Sequence, residues 1–460
     1  MRSKLPGESA WRALGVGALL LVVALAVPGC RRDEPVQPVE RPNVLLVTLD
    51  TTRADHLGVY GYRRPTTPAL DQLAKESQVY EHAYTTSSWT LPAHASLFTG
   101  LVPTVHGARK DPDGELILSA EVAVPESWNI YRARAPRDDV PTLAGLLGDA
   151  GWSTAGIVGG PWLKRAFGLG RGFAHWDDDD VGADGRRGSA VTERARAWLA
   201  QAPRPFFLFL NYFDPHTPYD APPAYVRYVL GGETFPRNAG PDQKQALLYD
   251  AEIRYTDDQI GLLLGELRRL GLYDSTWVIV TSDHGELLGE HGRVGHGLTL
   301  DEVLVRVPLL VKPPRGVGRP GRVAAPIQLD DVMPMLLEAL GLATPAGIQG
   351  VAPEHARERS AVFAEVNPLP AESEDGEYRA WIEGDWKLVW NSLGHHELYD
   401  LATDPGEDRN LASAEPARLA GMKDRLGRYV ASLPPPPAAK PARNIDPETA
   451  KSLRSLGYVQ

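Results

Sequence analysis

Asp283 and His284 stand side by side directly after an apolar run, TWVIVT, at 276–281. A second carboxylate, Asp50, follows another such run, NVLLVTL, at 43–49. Oxygen and nitrogen donors far apart in sequence, but delivered by two strands to one place, suit a single divalent cation. Each alone has an ordinary explanation, since an Asp after a strand is often a helix cap and a lone His is usually structural. The combination is more specific than either member. Between them lies SWTLPAHASLFTG at 88–100. Pro92 can open a helix there, which puts Thr90 at the helix amino terminus, where free N–H groups stabilise an anion. A hydroxyl held there against a cation is an activated nucleophile. Taken alone, Thr90 reads equally as a helix N-cap.

These residues need elements to position them. The run at 43–49 reads as a buried parallel strand, and further strands are predicted at 153–158, 206–212, 276–281 and 307–311. Helical spacing is predicted at 67–78, 141–150, 191–202, 243–270 and 332–340. Strand and helix alternate, so the expected fold class is α/β, a large, mostly parallel sheet covered by helices. Ligands collect at the carboxyl ends of such strands. Asp50, the pair Asp214 and His216, and the pair Asp283 and His284 each follow a predicted strand. After about Pro353 the pattern shifts to short strands at 361–366, 379–383 and 386–390 and a helix at 416–433. A Pro-rich stretch and a short helix near 447–456 follow. This reads as a small antiparallel sheet with a helix. The expected division is a catalytic α/β domain over 43–352 and a carboxy-terminal subdomain and tail over 353–460.

Composition narrows the class. With 43% hydrophobic and 23% charged residues the chain is globular rather than disordered. Lys plus Arg is 48 and Asp plus Glu 59, a net charge of −11, with no long basic run. Nucleic acid is therefore not an expected partner, and an anionic substrate needs a local cationic or metal site. The only cysteine is Cys30, which excludes an intrachain disulfide or a Cys-based metal site. Arg2, Lys4 and Arg12 precede an uncharged apolar run at 13–27. That run is short for a membrane span of about 20 residues and suits a signal-peptide core. It ends in VPGC, which resembles a bacterial lipoprotein lipobox, although Pro28 is unusual in it. A signal peptide at 1–29, a lipidated Cys30 and a Pro-rich tether over 30–42 are expected. The protein is then an extracytoplasmic, membrane-anchored lipoprotein of the cell envelope. A plain secretory signal or an amino-terminal anchor is the alternative.

Longer motifs carry a family resemblance. They are RPNVLLVTLDTTRADHLGVYGY at 41–62, LPAHASLFTG at 91–100, FDPHTPY at 213–219, TSDHGELLGEHG at 281–292, RVPLLV at 306–311 and HELYDLATDPGEDRNLA at 396–412. The chain resembles the sulfatases of the alkaline-phosphatase superfamily over essentially the whole segment after the signal. The resemblance implies a large α/β domain, a smaller carboxy-terminal sheet domain and a divalent metal, calcium or magnesium in the family. It carries over to Asp50, His216, Asp283 and His284. The departures are equally specific. Where the family has a Cys or Ser that is oxidised to formylglycine, this chain has Thr90, and the motif's Arg is His94. Oxidising a Thr alcohol gives a ketone, not an aldehyde. Thr51 replaces a second carboxylate ligand, the family's Lys-x-His falls near Gly159 and Pro161, and His296 stands for a late Lys. The altered set looks like branches that use an unmodified Thr, such as phosphoethanolamine transferases and lipoteichoic acid synthases.

The expected activity is metal-dependent hydrolysis or transfer of an anionic ester, with phosphate esters favoured. A formylglycine hydrate expels sulfate by collapse of its second hydroxyl, and a Thr has none. Its adduct must be resolved by attack at the central atom. In this reading Asp50, Thr90, Asp283 and His284 hold the cation, and His94, His216 and His296 contact the anion or protonate the leaving oxygen. The His ligand and the smaller number of carboxylates also suit zinc or manganese. Arg53, Lys164 and Arg165 read as solvated surface charge, with His291 and His106 as weaker candidates. Sulfate ester hydrolysis is the first alternative, and a non-catalytic binding lipoprotein on the same fold is the second. The anchor gives a test: Cys30→Ser is expected to move the protein from membranes to the soluble extracytoplasmic fraction. Unchanged membrane retention would remove the lipoprotein reading.

Overall fold

The computed structural model describes residues 41–123, 132–232, 234–236, 239–353, 355, 359, 361–370 and 372–435. The signal peptide, Cys30, most of the tether and the helix expected near 447–456 lie outside the described residues. Among the described residues no helix is long and apolar enough to cross a membrane.

The apolar runs form the middle of an eight-stranded sheet. Its strands are β1 (Asn43–Leu49), β2 (Gln78–Tyr80), β3 (Ser153–Ile157), β4 (His175–Asp177), β5 (Phe206–Tyr212), β6 (Thr276–Thr281), β7 (Leu309–Lys312) and β8 (Gly321–Val323). Their order across the sheet is β8-β2-β7-β6-β1-β5-β3-β4. β1 pairs in parallel with both β6 and β5, and β7 is antiparallel to its two neighbours. Every residue of β1 and β5 is buried, because helices cover both faces and leave no solvated side for alternation. Val44 and Leu46 enter one core and Leu45, Val47 and Leu49 the other. The first core takes in the helix Thr90–Thr99, and the second takes in the long helix Pro241–Arg269.

The expected α/β class holds, with differences at the margins. The helix expected at 67–78 stops at Ala74, and its last residues turn into β2. The strand expected at 307–311 is broken by Pro308, which has no N–H for the ladder. Beyond the large sheet, Val362–Val366, Tyr378–Glu383, Trp386–Asn391 and Glu397–Asp400 form an antiparallel four-stranded sheet. The helix Pro416–Ser432 packs on it through Met422 and Leu426.

The register of the central strands aligns the chemistry. Thr48 of β1 lies opposite Thr281 of β6 and Asn211 of β5. Asp50 and Asp283 each come two residues after a paired position, so they leave the sheet at the same level. Phe209 locks this centre from below: it is fully buried, with its ring 4.8 Å from Phe98 and 5.8 Å from His94. Phe209→Ala is expected to destabilise the protein by about 3–5 kcal/mol. Chemical denaturation measures this, and a loss under about 1 kcal/mol would mean that the ring does not lock the strands.

Candidate active site

The three strand ends deliver Asp50, His216 and the pair Asp283 and His284 to one edge of the sheet, and the helix Thr90–Thr99 points its first residue at them. Asp50, Asp283 and His284 are fully buried and each offers a ligand atom, all within 4.8 Å of one another. Asp283 Oδ1 accepts the N–H groups of Thr51 and His284, at 3.2 and 3.0 Å. Asp50 Oδ2 accepts from Asn211 at 3.4 Å. The other oxygens, Asp50 Oδ1 and Asp283 Oδ2, have no hydrogen-bond partner among the described residues. Burial, then Asp283, pushes the Asp50 carboxyl well above its ordinary range, and burial raises Asp283. Two buried, orphaned carboxylate oxygens side by side are costly unless a cation lies between them. The residues therefore fit a divalent metal.

The nitrogen donor is prepared for the same task. His284 Nδ1 donates to the Gly285 carbonyl at 2.9 Å, which leaves Nε2 unprotonated and available as a ligand. Burial first and His296 second push His284 down to about 3, so it stays neutral. Thr90 Oγ1 is 3.2 Å from that Nε2. The helix begins at Thr90 itself, two residues before Pro92. Pro92 stays in the first turn, where its missing N–H costs nothing.

His94 lies behind Thr90. Its Nδ1 donates to the Thr90 carbonyl at 2.9 Å, and its Nε2 accepts from the Thr48 hydroxyl at 3.0 Å. Thr48 in turn accepts from Asn211 at 3.2 Å, and Asn211 Oδ1 accepts the N–H of Gly160 at 2.8 Å. This chain of bonds ties β1, β5 and the helix Thr90–Thr99 together. A Cβ on Gly160 would come within 3.3 Å of Asp50 Oδ2, so where the family's Lys-x-His would fall this backbone closes directly on the carboxylate. Thr51, in the place of the second carboxylate, has φ of 52° and donates its hydroxyl to the Pro215 carbonyl at 2.9 Å. That hydroxyl binds the 213–219 loop.

The remaining histidines form a wall. His296 lies 4.5 Å from His284 and 5.0 Å from His216, centroid to centroid, and His216 stacks on Phe213 at 4.4 Å. His216 Nδ1 donates to the Thr217 carbonyl at 2.5 Å, and His296 Nδ1 to Glu286 Oε1 at 3.0 Å. Burial first, then Lys110, pushes His296 down to about 3. Burial pushes Glu286 up to about 7, a shift that His216 and His284 oppose. Sequence reasoning missed Glu286, although DHGE places it in the metal motif, and Asn211, whose amide interrupts the apolar run of β5. Arg53, read as surface charge, is instead 5% exposed and paired with Asp55 at 2.8 Å and Glu290 at 2.5 Å. Lys164 and Arg165 turn to the Trp176–Asp178 segment. His106 is buried with both nitrogens bonded, to Ser96 and to the Ala108 N–H. His291 lies 3.8 Å from Asp301.

A large, mostly parallel sheet with acidic and imidazole groups at its carboxyl edge, and a nucleophile position opening a helix, is the arrangement of the alkaline-phosphatase superfamily. Within that class this chain belongs to the sulfatase family: the profile described as Sulfatase matches residues 42–342. A second profile, N-sulphoglucosamine sulphohydrolase, C-terminal, matches residues 289–429. The chain is 27% identical to the uncharacterized sulfatase YidJ of Escherichia coli (strain K12), over 84% of this chain and 86% of that protein. It shares its fold with a protein solved in complex with its substrate, D-glucosamine-2-N,6-O-disulfate. That match has a TM-score of 0.71 at 19% identity and covers 85% of this chain and 98% of the other. It also shares it with the phosphonate monoester hydrolase of Agrobacterium radiobacter, at a TM-score of 0.68 and 20% identity, over 85% of this chain and 96% of the other.

The orphaned oxygens give a thermodynamic test. Asp50→Asn and Asp283→Asn are each expected to abolish the metal-dependent rise in thermal stability. That rise is about 2.7 kcal/mol at a metal concentration a hundred times Kd. Each is also expected to raise stability in a chelator, where the buried like charges repel. Unfolding with and without chelator, together with metal content by mass spectrometry, checks both signs. Full metal occupancy in both variants would place the ion elsewhere.

Proposed function

We propose that the protein is a divalent-metal-dependent esterase that cleaves a phosphate ester through a covalent adduct on Thr90. The observation that carries this is the Thr90 hydroxyl, 3.2 Å from His284 Nε2 and at the first residue of a helix, in a site with two unpartnered carboxylate oxygens. Asp50, Asp283, His284 and Thr90 would hold the cation. When bound, a divalent cation there lowers the pKa of the hydroxyl and neutralises a non-bridging substrate oxygen.

The chain's own groups do the rest. Thr90 Oγ forms a bond to phosphorus as the bond to the ester oxygen breaks, and the proton that Thr90 gives up ends on the departing oxygen, which leaves as the alcohol. Water or an acceptor alcohol then attacks phosphorus as the bond to Thr90 Oγ breaks, and the proton that the attacking group gives up restores the Thr90 hydroxyl. His94 keeps the Thr90 backbone in place from behind. His296 has its Nδ1–H committed to Glu286, so its neutral Nε2 can accept a hydrogen bond from the attacking water and orient it. His216 faces it across the cleft and contacts the anion.

Sulfate ester hydrolysis is the second reading, favoured by the family itself and by the disulfated substrate of the structural relative. Thr90 weighs against it, because a Thr adduct has no second hydroxyl with which to expel sulfate. The amino-terminal pattern ending at Cys30 supports an enzyme tethered to the outer side of a bacterial membrane.

During turnover of a phosphoester, mass spectrometry is expected to trap phosphorylated Thr90. Thr90→Ala is expected to remove the adduct and lower kcat/KM by at least about a thousandfold, while Thr90→Ser retains part of both. Normal turnover by Thr90→Ala would refute the covalent route. Turnover of a sulfate ester alone, of the same phenol, would favour the second reading.

A further inference from the structure

One more cation lies beside the neighbours of Thr90 and His296, on a segment outside the motifs that carry them. Arg109–Lys110 joins a small sheet with Leu116–Ile117 and Arg132–Arg134. Lys110 is only 7% exposed. Its Nζ donates to the Gly297 carbonyl at 3.2 Å and to Glu372 Oε1 at 2.5 Å, and it lies 5.5 Å from the centroid of the Trp89 ring. Trp89 precedes Thr90, and Gly297 follows His296. The ammonium therefore sits where the backbone leading to the nucleophile meets the backbone leaving the histidine wall. A Cβ on Gly297 would come 3.2 Å from Nζ and 3.6 Å from the Trp89 Cβ, at a φ of 77°. A glycine allows this close approach. The ammonium thus flanks Trp89 and Gly297, the chain neighbours of Thr90 and His296.

Two other basic groups, Arg53 and Arg187, are committed to carboxylates of the protein. Arg53 pairs with Asp55 and Glu290, and Arg187 lies 3.7 Å from Asp214 and 3.6 Å from Glu252. Glu372 differs in origin. It comes from the segment between Val362–Val366 and Tyr378–Glu383, and its second oxygen accepts from the Leu369 N–H nearby, at 2.8 Å. We propose that Lys110 is the cationic contact for the anionic group of the substrate, and that Glu372 is a resident counter-ion that competes for it. A dianion competes well for a buried ammonium, because the attraction is strong in a low-dielectric site. The carboxylate keeps Lys110 paired while the site is empty. The proposal rests on the substrate being an anionic ester and not on Thr90 acting as the nucleophile.

The two partners give opposite signs, which a merely structural ion pair would not. In the metal-loaded, full-length protein, Lys110→Met is expected to weaken inorganic phosphate binding, measured by calorimetry, about ten- to a hundredfold. This is the range lost with one charged hydrogen bond. It is also expected to raise KM more than it lowers kcat for whichever ester the wild type hydrolyses. Glu372→Gln is expected to tighten phosphate binding about threefold and to lower KM, by removing a competing charge at an effective dielectric of about 20. The double variant is expected to match Lys110→Met. Weaker or unchanged phosphate binding in Glu372→Gln would overturn the proposal, and that variant decides the matter even if Lys110→Met fails to fold. A missing Thr90 adduct alongside these opposite shifts would refute the covalent route and leave Lys110 in its role.

Discussion

Two carboxylate oxygens, on Asp50 and Asp283, lie buried next to each other with no hydrogen-bond partner among the described residues. Each repels the other and each has lost its water. Much of the surrounding structure holds them in that position. The parallel pairing of β1 with β5 and β6 brings the two strand ends to the same level. The Asn211–Thr48–His94 chain ties the strands to the helix that starts at Thr90. The N–H groups of Thr51 and His284 take up one oxygen of Asp283 and leave the other pointing into the site. A fold that maintains such a cost has a use for it, and a divalent cation is the species that turns repulsion into binding.

The same frame explains what the other residues can do. Neutral imidazoles suit a site with a cation at its centre, since a third positive charge there would oppose the metal. Burial keeps His284, His216 and His296 neutral, and carbonyls or Glu286 fix which nitrogen carries the proton. The family's sulfate-binding Lys and His are absent from the 159–161 segment, where the backbone instead packs against Asp50 and Asn211. The protein thus combines a sulfatase fold with a Thr at the first residue of the helix and a wall of neutral histidines facing the carboxylates.

Much of this was legible in the sequence, because the strands β1, β5 and β6 are continuous apolar runs that end at the residues they deliver. Their bounds were read without error, and the long helix Pro241–Arg269 to within two residues at its start. What escaped was set by tertiary contacts rather than by local pattern. Glu286 sits beside the metal motif, but its bond to His296 exists only when a turn brings residue 296 back. Lys110 carries no local signal at all, since Gly297 and Glu372 are distant in sequence. Arg53 was misread because a charged residue after a strand looks solvated until Asp55 and Glu290 close around it. The short strand Glu397–Asp400 was passed over, as four residues give too little alternation to recognise.

The central claim is that the orphaned oxygens, His284 and the Thr90 hydroxyl share one cation. Anomalous diffraction from crystals soaked in manganese tests it most directly. The account predicts one strong peak held by Asp50, Asp283, His284 and Thr90 together. A peak bound elsewhere, or at the carboxylates but with Thr90 turned away from it, would contradict it.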